Sequence, residues 1–251
     1  MKRLFVLPVM LAAASLAVGC GSSGTSSTPS TGGSSSTGST ATGTNHPDQS
    51  GFAAQVDNPW FPLIPGSVYV YHGIKDGEPS RDVLTVTSET KVIQGIRCTV
   101  VKDRLYLRGL LHERTTDWYA QDRDGNVWYF GEETAELSPS GKVTSREGTW
   151  LAGVDGAVAG IYLPGNPTVG QSGRQEYYKG HAEDHYQVLS LSTPVHTPGA
   201  SSSNALLTKE WTPLEPDVLD HKLYVHGVGN VKEQAVRGPV ELNVLISFHK
   251  P

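Results

Sequence analysis

His181, Glu183 and His185 stand at alternate positions in GHAEDHY. On a strand all three side chains would leave one face, offering two imidazoles and a carboxylate to a first-row metal. Consecutive same-face residues on a strand lie about 6.6–7 Å apart, wider than neighbouring ligands of one ion, so a solvated hairpin arm competes with the metal reading. Asp122, Asp124 and Asn126 in DRDGN alternate hard oxygens as a calcium loop does at its start, with Glu133 near the place of the closing carboxylate. The intervening WYF suits a strand better than a ligand loop, and Asp124-Gly125 is a tight-turn pair. GQSGR (170–174) misses the G-x-S-x-G serine elbow by one position, and no G-x-G-x-x-G or Walker pattern follows a strand. No cofactor is expected from these motifs. Carboxylates such as Asp117, Glu132, Glu176 and Glu210 are plentiful, and a glycosidase would need two of them facing across a sugar site.

Aromatic residues supply the other candidate chemistry. Trp60, Trp118, Trp128, Tyr178 and Trp211 fall beside further aromatics or in short aromatic-bearing blocks, and Arg174 precedes the Tyr177-Tyr178 pair. Adjacent members of a pair on a regular strand point to opposite faces, so Trp118-Tyr119 and Tyr177-Tyr178 cannot each fill a single core. One of each pair must face a second apolar region: a lumen, a partner or solvent. Core packing and covered faces explain many of them. As a binding set, Trp60, Trp118, Trp128, Tyr178 and Trp211 would supply flat apolar area, and Arg174 would pair with an acidic head group.

The elements that must position these residues read as strands. VYVY (68–71), VLTVT (83–87) and RCTVV (97–101) are rich in β-branched and aromatic residues. HERTTDWYAQDRDGNVWYF (112–130) predicts a hairpin about Asp124-Gly125, and RQEYYKGHAEDHYQVLSL (174–191) a second one near Lys179-Gly180. ALLTKEW, HKLYVH, GNVKEQAV and VELNVLISF continue the theme. In the last of these Val240, Leu242, Val244, Ile246 and Phe248 alternate with polar residues, which predicts that they form its buried face. Segment 148–173 is Gly- and Pro-rich and reads as a long ordered loop. Helical periodicity is absent, and sixteen prolines with twenty-eight glycines would interrupt it. The expected fold is all-β, an antiparallel meander of about 10–12 strands forming a barrel or a strongly curved half-barrel.

The N-terminus carries an address. Lys2 and Arg3 precede an apolar run (Leu4–Leu16), followed by Ala17-Val18-Gly19-Cys20. The last four residues resemble the lipobox of bacterial lipoproteins, with Ala17 in place of the usual leucine. That resemblance implies lipidation of Cys20 after removal of residues 1–20. The apolar run is too short to span a bilayer, whereas a diacylglyceryl cysteine anchors a chain stably. Residues 21–50 are almost wholly Ser, Thr and Gly, a flexible tether with an end-to-end distance of roughly 30 Å. Residues 51–251 are long enough for one domain with its own core. The net charge of −5 falls to about −7 once Lys2 and Arg3 are removed. An acidic domain without a basic stripe argues against nucleic acid as a partner. With Cys20 lipidated, Cys98 has no disulfide partner, and its apolar setting (IRCTVV) predicts a buried, inert thiol.

NPWFPL (58–63), DWYAQDRDGNVWYFGE (117–132), GVDGAVAGIYLPGNP (153–167), RQEYYKGHAED (174–184) and EWTPLEPD (210–217) resemble blocks of a family of uncharacterised bacterial exported lipoproteins. The resemblance implies export and a single domain, and no catalytic residue is carried over from it. A looser likeness, at the level of fold class and the GVGNVKE turn, is to curved-sheet carriers of the LolA and LolB type. Two functions follow as expectations. One is an extracytoplasmic, membrane-tethered binding or carrier lipoprotein for an apolar or mixed-polarity small molecule. The other is an extracytoplasmic hydrolase of sugar or envelope polymer acting through paired carboxylates. A cavity lined by apolar groups would favour the first, an open cleft with two facing acids the second.

Overall fold

A computed structural model describes residues 51–53 and 55–251; the leader, Cys20 and the tether lie outside them. Sixteen strands form in chain order: β1 (Phe52–Ala53), β2 (Val68–Lys75), β3 (Glu78–Ile93), β4 (Ile96–Leu107), β5 (Leu110–Asp122), β6 (Val127–Leu137), β7 (Val143–Ser145), β8 (Trp150–Leu151), β9 (Val158–Leu163), β10 (Ser172–Arg174), β11 (Glu176–Tyr177), β12 (His185–His196), β13 (Ser201–Trp211), β14 (Leu219–Val225), β15 (Gly229–Arg237) and β16 (Leu242–His249). Strand accounts for 64% and no helix forms among the described residues, so the all-β expectation holds, with more strands than anticipated. The extra ones come largely from segment 148–173, where β8 and β9 pair with β6 in what the composition suggested was loop.

All pairings are antiparallel, and the sheet runs β10-β12-β13-β14-β15-β16-β2-β3-β4-β5-β6-β9-β11. Its first and last members are separated in sequence by Gln175 alone, so the chain itself joins the two edges and the sheet nearly closes into a barrel. The join is tight. Gln175 is fully buried, and its N–H donates to Asp184 O at 2.7 Å and its Nε2 to Tyr162 O at 3.1 Å. Gly160 makes the approach feasible: a Cβ there would lie 2.4 Å from Arg174 O. Bringing the two edges together shields what a meander of this length would otherwise expose.

Antiparallel hairpins place turns alternately at two ends. One end carries the turns at 94–95, 123–126 and 226–228, and NPWFPL is laid across it. Asn58 is buried and pins this segment, donating from Nδ2 to Gly125 O (2.8 Å) and Pro164 O (3.2 Å) and accepting from Trp60 N (2.8 Å). Gly227 N donates to Pro59 O at 2.6 Å, and Phe61 enters the barrel to meet Tyr119 and Tyr162, with ring centroids 5.4 and 4.7 Å away. The predicted DRDGN hairpin forms here. Asp122 Oδ1 accepts from the N–H groups of Asp124 and Asn126, and Oδ2 from Asn126 Nδ2 and Trp128 Nε1, so its oxygens serve the turn. The opposite end, with turns at 76–77, 108–109, 212–218 and 238–241, has no such cover among the described residues.

Cross-strand register shows which face is inner. The rows Val101–Asp117–Glu132, Asp103–Thr115–Thr134, Thr208–Lys222–Glu233–Asn243 and Tyr186–Glu210–Asp220 are opposed neighbours around the barrel. The other face of the same strands carries Lys102, Arg104, Arg114 and Glu133, so the outside is no continuous lipid-facing band. This register corrects the reading of VELNVLISF. Its inward residues are Glu241, Asn243 and Leu245, paired along Glu233, Gly73 and Tyr71, while Val240 is 72% exposed. A bulge between Leu245 and Ser247 then shifts the phase. The apolar alternation is real but points outward, because the barrel interior at this height is polar.

Candidate functional site

The lumen is stratified. Next to the plug lies an aromatic layer in which Tyr119 stacks on Tyr129 at 4.8 Å and both pack against Tyr162. Above it sits a belt of ionisable groups. Ten carboxyl side chains are buried among the described residues (Asp82, Asp103, Glu113, Asp117, Glu132, Glu176, Glu210, Asp220, Glu233 and Glu241) against two lysines, Lys75 and Lys222. Charges removed from water on this scale must pair or neutralise.

Both happen. Lys222 Nζ lies 2.8 Å from Glu210 Oε2 and 3.7 Å from Glu233 Oε1. Burial opposes its charge, but these two carboxylates outweigh it and hold its pKa above the usual lysine value. Glu210 Oε1 also accepts from Thr208 Oγ1 (3.0 Å) and Tyr224 OH (3.2 Å), which satisfies it fully. Asp117 accepts from Tyr129 OH at 2.7 Å, yet burial pushes its carboxyl up to about 8. Burial likewise drives Glu113 up to about 8, and Glu132, Glu176 and Asp103 well above the carboxylate range, Asp103 helped by neighbouring Asp82. Much of the belt is therefore protonated at neutral pH.

At the uncovered end the belt opens into a cavity of about 30 Å³, lined by Ile74, Lys75, Ser80, Asp82, Leu105, Glu233, Ala235, Glu241, Leu242 and Asn243. Here Lys75 Nζ lies 3.4 Å from Glu241 Oε2, with both groups buried. Burial lowers the lysine and raises the glutamic acid to about 8, each opposed by the other's charge. Asp82 is 2% exposed and its Oδ1 has no hydrogen-bond donor; Asn243 Oδ1 also has none. A second cavity of about 10 Å³, between the plug and Tyr69, Tyr71 and Leu84, is mostly apolar.

The residues singled out from the sequence are distributed around this barrel. Trp118 pairs with Val100 on the outer face, buried under Lys91, whose Nζ lies 3.4 Å from the ring centroid; its neighbour Tyr119 points inward. Trp60 belongs to the plug and meets His226 edge-on, and Trp128 packs on Phe52. Tyr178 stacks on His181 in the 178–182 turn. Arg174, His185 and Trp211 do come together, as a cross-strand row in which His185 stacks on Trp211 at 5.5 Å and Arg174 covers Tyr177. None of the six residues of the aromatic and arginine set lines either cavity. His181, Glu183 and His185 do not share a strand face: the first two lie in the turn, Glu183 accepts from Gly180 N, and His185 Nδ1 meets Glu183 O. Among the described residues no three of His, Cys, Asp and Glu are grouped to hold a metal ion. Cys98 is fully buried, its thiol pushed up to about 12 by that burial.

The belt and mouth were missed because each carboxylate, read singly in a strand, looks like a solvated residue. The signal that could have found them is acids at same-face positions in consecutive strands, such as Asp103, Asp117 and Glu132, once the pairing is known.

Fold and site together define a class: a plugged, nearly closed antiparallel β-barrel with an acid-rich interior and a small mouth of mixed polarity. No family model matches the chain, and no curated protein does. Among solved structures it is similar to an exported protein of Bacteroides fragilis NCTC 9343 described as having a YmcC-like fold, at 15% identity and a TM-score of 0.46. It is also similar to a lipoprotein of Parabacteroides distasonis ATCC 8503, at 11% identity and a TM-score of 0.42. Each match covers 76% of this chain and 99% of the other. Carriers of the LolA and LolB type have no counterpart in these two descriptions.

Proposed function

We propose that this chain is an extracytoplasmic lipoprotein, tethered through Cys20, whose barrel binds a small molecule of mixed polarity at the uncovered mouth. The observation that carries the reading is the composition of the mouth: Ile74, Leu105, Ala235 and Leu242 meet Lys75, Asp82, Glu233 and Glu241 in one recess, with a buried Asp82 oxygen left unpaired. Convergent polar groups in an apolar recess are the usual make-up of small-molecule sites. The lipobox-like leader and the Ser/Thr/Gly segment support the tethered placement. Hydrolysis of a polymer is favoured less, because the acids of the mouth line a small recess beside apolar groups and do not face one another across an open cleft. The row Arg174–His185–Trp211 near the same end offers a rim against which a longer ligand could lie.

The test is titration of short-chain amphiphiles into the lipidated chain held in phosphatidylcholine nanodiscs, followed by calorimetry and native mass spectrometry. Ala235→Phe, which fills the recess, should weaken saturable binding at least about tenfold while Trp118→Ala affects stability alone. Binding untouched by Ala235→Phe would move the site elsewhere. Absence of any saturable binding would end the carrier reading.

A further inference from the structure

We infer that the mouth recognises an organic ammonium, the cationic head of a molecule whose alkyl part lies on Ile74 and Leu242. The inference rests on the binding reading above and gives its ligand a chemical class. Both unpaired atoms in the recess, Asp82 Oδ1 and Asn243 Oδ1, are acceptors, so what completes them must donate hydrogen bonds. The lining holds three carboxyl groups, Asp82, Glu233 and Glu241, against one amine, Lys75. Lys75 is engaged by Glu241, and Glu233 shares Lys222 with Glu210, which leaves Asp82 as the carboxyl of the recess that lacks a cation. On the neighbouring strand Asp103, raised by burial and by Asp82, hydrogen-bonds Asp82, so the two acids hold a proton between them and present acceptor oxygens to the recess.

Size and arrangement narrow the class. A recess of about 30 Å³ holds one small head group. The acids are not grouped for metal ligation among the described residues, and a compact divalent ion needs several oxygens at about 2.0–2.6 Å. An ammonium with an alkyl substituent makes looser demands: one to three N–H donors directed at separate acceptors, and apolar contact for the carbon next to nitrogen. Leu105 and Ala235 inside the recess supply that contact, while half-exposed Ile74 and outward-lying Leu242 continue it to the surface.

The experiment uses the lipidated full chain in phosphatidylcholine nanodiscs, with empty nanodiscs as blank, and titrates hexylammonium, hexanol, hexanoate and calcium chloride in parallel. Hexylammonium should bind saturably and at least about tenfold more tightly than hexanol, with hexanoate weaker still. Asp82→Asn, which keeps the shape, should abolish that preference. Should Asp82→Asn fail to fold by circular dichroism, Glu241→Gln serves instead and should reduce the preference several-fold. Hexanol or hexanoate binding as well as hexylammonium would overturn the ammonium assignment and leave the binding reading standing. Displacement of hexylammonium by stoichiometric calcium would overturn it in favour of a metal ion. No binding by any of the amphiphiles would leave a recess holding water alone, and both readings would fall.

Discussion

Lys222 is the residue on which the interior depends most. It faces Glu210 at 2.8 Å and Glu233 at 3.7 Å from the middle of β14, with no water-exposed route for its charge. Removing one partner of a buried ion pair leaves an uncompensated charge and costs about 3–5 kcal/mol. Lys222→Met should therefore destabilise the barrel by about that much at neutral pH. The loss should shrink at about pH 5, because Glu233, already raised by burial, can then take up a proton in place of its lost cation. Denaturant melts of both proteins at the two pH values would show it, and a loss independent of pH would mean that packing outweighs charge here. Cys98 makes a simpler case. Fully buried and raised to about 12, it should stay unmodified by thiol reagents at about pH 8 until denaturant is added. Labelling of the folded chain at the rate of a free thiol would contradict its placement. This behaviour was legible in IRCTVV, because a largely apolar strand run already predicts burial.

At the scale of elements, two features make a barrel out of a meander: the plug and the seam. The plug depends on Asn58, which ties three segments through its side chain while itself buried. Its replacement by alanine strands acceptors and a donor away from water, at a cost of about 2–4 kcal/mol. The melting temperature of Asn58→Ala should fall by at least about 5 °C, with protection lost first at 58–63 in hydrogen exchange. The seam depends on Gly160. A methyl group there collides with the Arg174 and Gln175 backbone, so Gly160→Ala should part β9 from the 174–176 turn and speed exchange of the Gln175 amide. Gly160→Ala with wild-type exchange at Gln175 would show that the seam can yield without opening. NPWFPL stood out in the sequence as a distinctive block, but its role did not, since nothing local tells a chain segment that it will lie across the end of a barrel.

The whole molecule holds protons that the unfolded chain would release. Glu113, Asp117, Asp220 and Glu241 are each pushed up to about 8, burial being the largest cause, whereas unfolded carboxyls titrate near 4. Between about pH 4 and pH 8 the native state thus binds more protons than the unfolded one, and stability falls as pH rises through that window. The melting temperature should be higher at about pH 5 than at about pH 8.5, by at least about 5 °C. The common pattern, in which paired carboxylates are lost on acidification, would reverse that order and would mean that the belt is ionised and solvated. The anchor is tested at the same scale. Cys20→Ala should free the chain from membranes through a carbonate wash, and unchanged association would exclude an acyl link through that residue.

What the sequence determined by itself was local. Period-two alternation, β-branched runs and pairs such as Asp124-Gly125 set the strands and their turns, because these depend on a residue and its near neighbours. The tertiary structure alone decided which face of each strand is inner. In VELNVLISF the alternation is plain, yet the apolar set Val240, Leu242 and Val244 faces outward and Glu241, Asn243 and Leu245 face the lumen. Hydrophobic patterning assumes an apolar interior. Once ten acids and two lysines from separate strands can pair, share protons and shield one another, a polar interior becomes tolerable, and that depends on register between residues far apart in sequence. The mouth is a product of the same register: Lys75, Asp82, Glu233 and Glu241 meet only after β15 and β16 have closed against β2 and β3.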